Sequence, residues 1–263
     1  MEGNILKMKT ELKDVVQYHL PIGDDLIHMN PLIGKKLSMS FEGKINCIHS
    51  GELIKKSFGQ GYSFKSFRTL AQCDMCLVRP ETCHYADGTC REPKWGEKHC
   101  MIPHYIYLSV ASGLKVGITR ETNLPFRWMD QGATSALPIL KVKDRLTSGL
   151  IEVELSKSYA DKTNWRKMLK GDVEDVSLEA VREEIYETYG NLIDDYEAED
   201  LDEEVLEISY PIESVPEKIS SLSFDKKPLI EGVLTGIKGQ YLILDTGVLN
   251  IRKHNGYSIK LDY

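Results

Sequence analysis

Five of the six cysteines fall within 28 residues: Cys73, Cys76, Cys83, Cys90 and Cys100. His84, His99 and His104 lie among or just beyond them. Cys73-Asp-Met-Cys76 offers two thiolates from one turn, which is half of a tetrahedral zinc site. Any two of Cys83, Cys90 and Cys100, or a histidine, would supply the other half. Disulfides suit the cluster poorly, because its cysteines are odd in number and no signal-peptide core opens the chain. A redox Cys-x-x-Cys would normally open a helix, and Pro80 interrupts one soon after. Four of these five cysteines are therefore expected to hold a structural zinc ion. A closed site of four protein ligands leaves no open position for catalysis, so that zinc would hold the fold.

Upstream, Cys47-Ile-His-Ser50 and Ser63-Phe-Lys-Ser66 repeat the spacing of a zinc ribbon, with serine at three of the four ligand positions. Serine matches cysteine in shape but binds zinc poorly, so a ribbon here would be metal-free. The alternative is an ordinary loop with a buried cysteine.

A second group with chemical potential lies in His104 to Ala133. Tyr105-Ile-Tyr107 precedes a turn at Ala-Ser-Gly, then come Lys115-Val-Gly117 and Arg127. This segment resembles the GIY-YIG nuclease core, where a tyrosine-bearing strand pairs with a strand ending in Tyr-Ile-Gly, and a helix carrying an arginine follows. Arg120 is the second candidate for that arginine. Gly149-Leu-Ile-Glu152 resembles the family's glutamate-bearing helix, and Asn164 falls where the family often has an asparagine. The wording of residues 45 to 170, with Asp130, Asp161 and Trp165, also resembles a group of uncharacterised bacterial proteins that couple zinc-ribbon segments to this core. Lys115 stands where the family has its second tyrosine. A lysine can meet phosphate as a point charge but does not do a neutral phenol's work without a shifted pKa.

The resemblance implies hydrolysis of phosphodiester bonds in DNA or RNA. Tyr107 would help activate water, Arg127 would grip the scissile phosphate with its fork, and Glu152 would hold one Mg²⁺. Lys115 would join these as a fourth catalytic group, while Arg120 and Asn164 would contact the nucleic acid. Glu152 and Glu154 diverge by about 200° on a helix, so one of them faces a given cleft; the spacing to Asn164 favours Glu152. Each residue also has a plainer place: the two tyrosines alternate as sheet residues do, and Arg127 suits a helix surface.

The elements that must position these groups read as α+β. A zinc-stapled segment leads into a small GIY-YIG-like α/β core, flanked by N- and C-terminal antiparallel β segments. Residues 1–50 form the first β segment, with a turn at Glu42-Gly43-Lys44. Residues 51–104 form the loop-rich zinc segment and 105–170 the core. A helix is expected over Leu124–Gln131, and one or two over Leu150–Leu169. Residues 171–207 read as an acidic helix, Ser177–Tyr189 with Ser177 as N-cap, then an acidic linker over Asp194–Glu204. Residues 208–263 alternate as strands, with turns near Gly239, Thr246 and Asn255.

The net charge of −7 looks wrong for a nucleic-acid binder, but it is unevenly spread. Residues 171–207 carry 16 Asp/Glu and one basic residue, leaving 32 Lys/Arg against 24 Asp/Glu elsewhere. A body of that sign can meet phosphate, and the segment 172–207 could dock a protein partner. No apolar run approaches the ~20 residues of a membrane span, and a cytoplasmic protein is expected. The alternative to an enzyme is a non-catalytic zinc protein that binds nucleic acid or another protein.

Overall fold

Apolar residues alternate along the C-terminal tail, and they build one long sheet. The computed structural model describes residues 1–159 and 164–263. The chain divides into two compact units: residues 1–68, 129–132 and 209–263 form the first, and 69–128 with 133–208 the second. The first and last of the five sequence segments thus combine, because the tail strands pair with the strand Lys36–Asn46 rather than with each other alone. The expected zinc segment is divided, with residues 51–68 belonging to the first unit and the cysteines to the second.

In the first unit, neighbouring strands run in the order Glu2–Asn4, Tyr257–Asp262, Lys36–Asn46, Leu229–Lys238, Tyr241–Leu244, Gly247–Asn250 and Ser221–Leu222. All pairings are antiparallel except the last. Ile230, Leu234, Leu242, Leu244, Ile259 and Leu261 alternate inward and are buried. The expected turn at Glu42-Gly43-Lys44 is instead a bulge within one continuous strand. Phe41 pairs with Ile259 and Ile45 with Tyr257, so extra residues are taken up around Gly43 at φ 78°. A smaller sheet, Lys9–Glu11, Gln17–Ile22 and Asp25–His28, completes this unit.

The second unit centres on an antiparallel sheet of Leu114–Arg120, His104–Val110 and Ser135–Val142, as the hairpin reading expects. Ile106, Leu108, Val110, Val116, Leu137 and Leu140 form its core with Ile151 and Leu155 of the helix Arg145–Leu155 and Ile185 of the helix Leu178–Asp195. Asp144 caps the first of these, its Oδ1 accepting from the Thr147 N–H at 2.8 Å, so that helix starts earlier than its apolar pattern suggests. A second helix, Trp165–Lys170, lies at the end of the expected 150–169 run, of which 160–163 fall outside the described residues. Ser177 caps Leu178–Asp195 as expected, and helical dihedrals break at Tyr189 before the helix resumes.

The acidic linker is a correction to the sequence reading. Glu199–Asp200 and Leu206–Glu207 both pair with Ser135–Val142, and the Tyr186 hydroxyl donates to the Ile139 carbonyl oxygen and accepts from the Leu201 N–H. An outer strand needs partners for its backbone groups, and here an acid-rich segment supplies them. Among the described residues no helix is long and apolar enough to cross a membrane.

Candidate functional site

The hairpin register fixes which side chains meet. Tyr107 lies opposite Gly117 and Ser109 opposite Lys115, so these four share one face of the sheet. The Tyr107 ring lies over Gly117: a Cβ there would stand 2.7 Å from Oη. Trp128 meets the ring edge-on at a centroid distance of 5.8 Å. Tyr107 is fully buried, so the phenol expected at an open cleft belongs to the packed interior. Tyr105 is half-buried and donates to Glu121 Oε1 at 3.3 Å.

Glu152 is where charge gathers. It is half-buried on the helix Arg145–Leu155, and burial pushes its carboxyl above the usual range. Lys115, Arg127 and Arg145 pull it back, and Glu81 adds to the rise. Lys115 comes from the edge strand, Arg127 from the helix Phe126–Gln131, and Arg145 from two turns earlier on Glu152's own helix. Of the four expected catalytic residues, Lys115 and Arg127 thus act electrostatically on Glu152, whereas Tyr107 lies in the packed interior. Arg145 and Glu81 were not singled out from sequence. Arg145 carried one usable signal, since seven residues before Glu152 on a helix means the same face.

The two expected nucleic-acid contacts lie elsewhere. Arg120 stands opposite His104 across the hairpin and acts electrostatically on His104 and Cys100 rather than on Glu152. Its buried Nε has no hydrogen-bond partner. Asn164 caps the helix Trp165–Lys170, with Oδ1 accepting from the N–H groups of Arg166 and Lys167 at 2.9 and 3.3 Å. That carbonyl is occupied by backbone. Trp165 stacks with Arg166 at 4.3 Å, Asp130 belongs to the first unit, where it pairs with Lys7, and Asp161 lies outside the described residues.

Four of the five clustered cysteines share one cavity. Cys76, Cys83, Cys90 and Cys100 line one small cavity together with Asp74 and His84, whereas Cys73 does not. Ligand atoms of Asp74, Cys76 and His84 lie within 4.8 Å of one another. Burial pushes the Cys76 thiol up to about 11, helped by Asp74, Cys83 and Cys100, and burial likewise raises Cys100. Thiols that crowd in this way disfavour their own ionisation, and a bound divalent cation reverses that balance. The soft sulfur donors, with an imidazole and a carboxylate at hand, fit zinc chemistry.

This centre braces the Glu152 helix. Arg145 donates from Nη2 to the Leu77 carbonyl at 2.8 Å and from Nε towards that of Cys76 at 3.4 Å. Its own N–H donates to the Cys100 carbonyl at 2.9 Å. Gly149 lets the turn Pro80–Thr82 lie directly on the helix, since a Cβ there would stand 2.5 Å from Glu81 N and Pro80 Cβ. His104 lies at the same end, fully buried, with Nδ1 against the Ile102 carbonyl at 2.8 Å and Nε2 without a partner. Burial brings its pKa down to about 4, so the ring is neutral at physiological pH.

In the first unit, the ribbon-like spacing does converge in space. Cys47 Sγ lies 3.5 Å from Ser66 Oγ, and Ser63 Oγ donates to Ser66 Oγ at 3.1 Å. Burial alone would raise the Cys47 thiol. Hydrogen bonds from Ser50, from the Ser63 backbone and from the Ser66 hydroxyl outweigh it and bring the pKa to about 6.

A protein-family model described as "Protein of unknown function" matches residues 34–259. No curated protein matches, and no solved structure does.

Proposed function

The chain belongs to that family, DUF2797, and we propose that it is a metal-dependent endonuclease that hydrolyses phosphodiester bonds in DNA or RNA. One observation carries the reading: the half-buried carboxylate of Glu152 feels the charges of Lys115, Arg127 and Arg145, with Glu81 acting against them. Three cations against two carboxylates, Glu152 and Glu81, leave an excess of positive charge, and a phosphodiester would complete it. Arg127 offers a planar fork to two phosphate oxygens, and Lys115 adds a point charge where the phosphorane-like transition state gathers negative charge. Glu152 would hold a Mg²⁺ ion, which would supply further neutralisation of that charge. In the reaction a water oxygen bonds to phosphorus, the bond to the leaving ribose oxygen breaks, and the proton lost by water balances the one that oxygen gains.

Tyr107 supports the site from beneath in this scheme, by filling the space that Gly117 leaves open. Cys76, Cys83, Cys90 and Cys100 would hold structural zinc, which keeps the loop that Arg145 grips in place. The ribbon-like quartet around Cys47 is read as a zinc-ribbon frame closed by hydrogen bonds in place of metal. Among the described residues no disulfide is formed, which suits a reducing compartment, the cytoplasm.

The burial of Tyr107 favours a second reading, in which the core binds nucleic acid without cutting it. On that reading the acidic segment 172–207 would serve as a protein-docking edge. Cleavage of single-stranded, double-stranded and branched nucleic acids with Mg²⁺ or Mn²⁺, by wild type and Glu152→Ala, separates the two. Cleavage lost in the variant by roughly 10²-fold or more supports the enzyme. No cleavage by folded wild type on any substrate would leave the binding role.

A further inference from the structure

The first unit carries a surface that the core's chemistry does not use. Residues 53–68 contain Lys55, Lys56, Lys65 and Arg68 and no Asp or Glu, in a chain whose net charge is −7. All four cations are exposed, and aromatic rings alternate with them. Phe64 is 55% exposed, an unusual place for a large aromatic side chain. Phe58 lies against it at a centroid distance of 5.2 Å. Lys56 Nζ sits 5.4 Å from the Phe58 ring centre, and the Arg68 guanidinium 5.7 Å from that of Phe64.

The platform is rigid. Phe58 and Tyr62 exchange both backbone hydrogen bonds at 2.9 Å, closing a tight loop. Gly59 at φ 51° lies flat on the Phe67 ring, where a Cβ would stand 2.7 Å from a ring carbon. On the other side, Ser63 and Ser66 turn inward to Cys47 and to each other, so Phe64 and Lys65 between them are presented outward. A preformed surface of this kind loses little entropy on binding.

We propose that residues 55–68 form a binding site for single-stranded nucleic acid, with a base stacking on the exposed Phe64 ring, which the half-buried Phe58 backs, and phosphates met by Lys55, Lys56, Lys65 and Arg68. Exposed ring faces beside cations suit unpaired bases, because every base has a π face and only a single strand leaves it open. A duplex hides its base faces and offers phosphate alone. The proposal rests on the endonuclease reading only for the kind of polymer, and it lies in the other unit from Glu152.

The test uses the full chain as Glu152→Ala, so that no probe is cut, and follows fluorescence anisotropy of a labelled oligothymidylate, an oligouridylate and a matched duplex. Phe64→Ala should weaken single-strand binding about tenfold, as loss of one stacked base does, and leave duplex binding unchanged. Arg68→Glu should weaken both and flatten the salt dependence. Both changes fall on exposed side chains. Equal affinity in wild-type and variant surfaces overturns the proposal. So does a Phe64→Ala defect confined to vesicles of anionic lipid. Wild-type cleavage is read in parallel: absent cleavage with this binding intact overturns the endonuclease reading alone.

Discussion

Arg145 reaches from the Glu152 helix to the carbonyl oxygen of Leu77, with Nη2 donating at 2.8 Å. Leu77 directly follows Cys76 in the metal-ligand candidates, and the Arg145 backbone N–H meets the Cys100 carbonyl from the other side. One residue thus joins two ends of the cysteine loop to the first turn of the helix that carries Glu152. A charged hydrogen bond to a half-buried carbonyl contributes more than a neutral one. Order in the cysteine loop is therefore transmitted directly to the place where the cations gather.

Metal content should separate the four cavity cysteines from the fifth. If the cavity holds zinc as proposed, Cys83→Ser should lose it and unfold at lower temperature, because zinc binding free energy is folding free energy in such sites. Cys73→Ser should keep a full equivalent, since Cys73 does not line the cavity. Elemental analysis of the purified proteins decides it. Loss of metal in both variants would return Cys73 to the ligand set.

Gly149→Ala should destabilise the protein by about 1–3 kcal/mol, despite alanine's better helix propensity of roughly 1 kcal/mol. The added Cβ would stand 2.5 Å from Glu81 N and 2.7 Å from the Pro80 carbonyl carbon, and backbone cannot swing aside as a flexible side chain can. Urea denaturation measures the change. A stabilised variant would show that the Pro80–Thr82 turn does not rest on the helix.

Much of this framework could be read from residue patterns. The hairpin, the Ser177 cap and the C-terminal strands follow from alternation and capping chemistry, which are local. The bulge at Gly43 looked like a turn because glycine marks both, and only pairing with Tyr257–Asp262 tells them apart. Acidic residues 199–207 looked like linker because their charge hides the backbone's need for a partner. Lys115, Arg127 and Glu152 were found through a motif. Glu81 depends on how a loop packs on a helix, which spacing does not encode, whereas Arg145 lies seven residues before Glu152 on one helix face. Tyr107 was placed on the correct strand, but its depth depends on Trp128 and Gly117 together.

Glu152 gives a pH-dependent test of strain at the site. Burial raises its folded-state pKa above the ordinary carboxylate value, so the folded protein holds the proton more tightly than the unfolded chain does. Stability from this group is present at acid pH and falls as pH rises from the unfolded value through the raised folded one. Glu152→Gln should therefore melt above wild type at neutral pH, and the gap should close in acid. Thermal melts across pH check both limits. A variant less stable than wild type at neutral pH would mean that the surrounding cations, not burial, govern the carboxylate.

Cys47 gives the opposite sign. Its pKa is lowered from 9.0 to about 6, because the hydroxyl and amide donors of the quartet stabilise the thiolate more than burial disfavours it. A depressed acid contributes stability that is complete above its unfolded value and is lost as pH falls through the folded one. Replacing Cys47 by alanine should thus cost most under alkaline conditions and progressively less towards acid. The thiolate's ultraviolet absorbance, taken as wild type minus Cys47→Ala, should rise with a midpoint near 6. Ser66→Ala removes a donor and should move that midpoint upward. A difference spectrum that appears only in alkali would show a neutral thiol, and the quartet would then be ordinary packing rather than a charged centre held by hydrogen bonds.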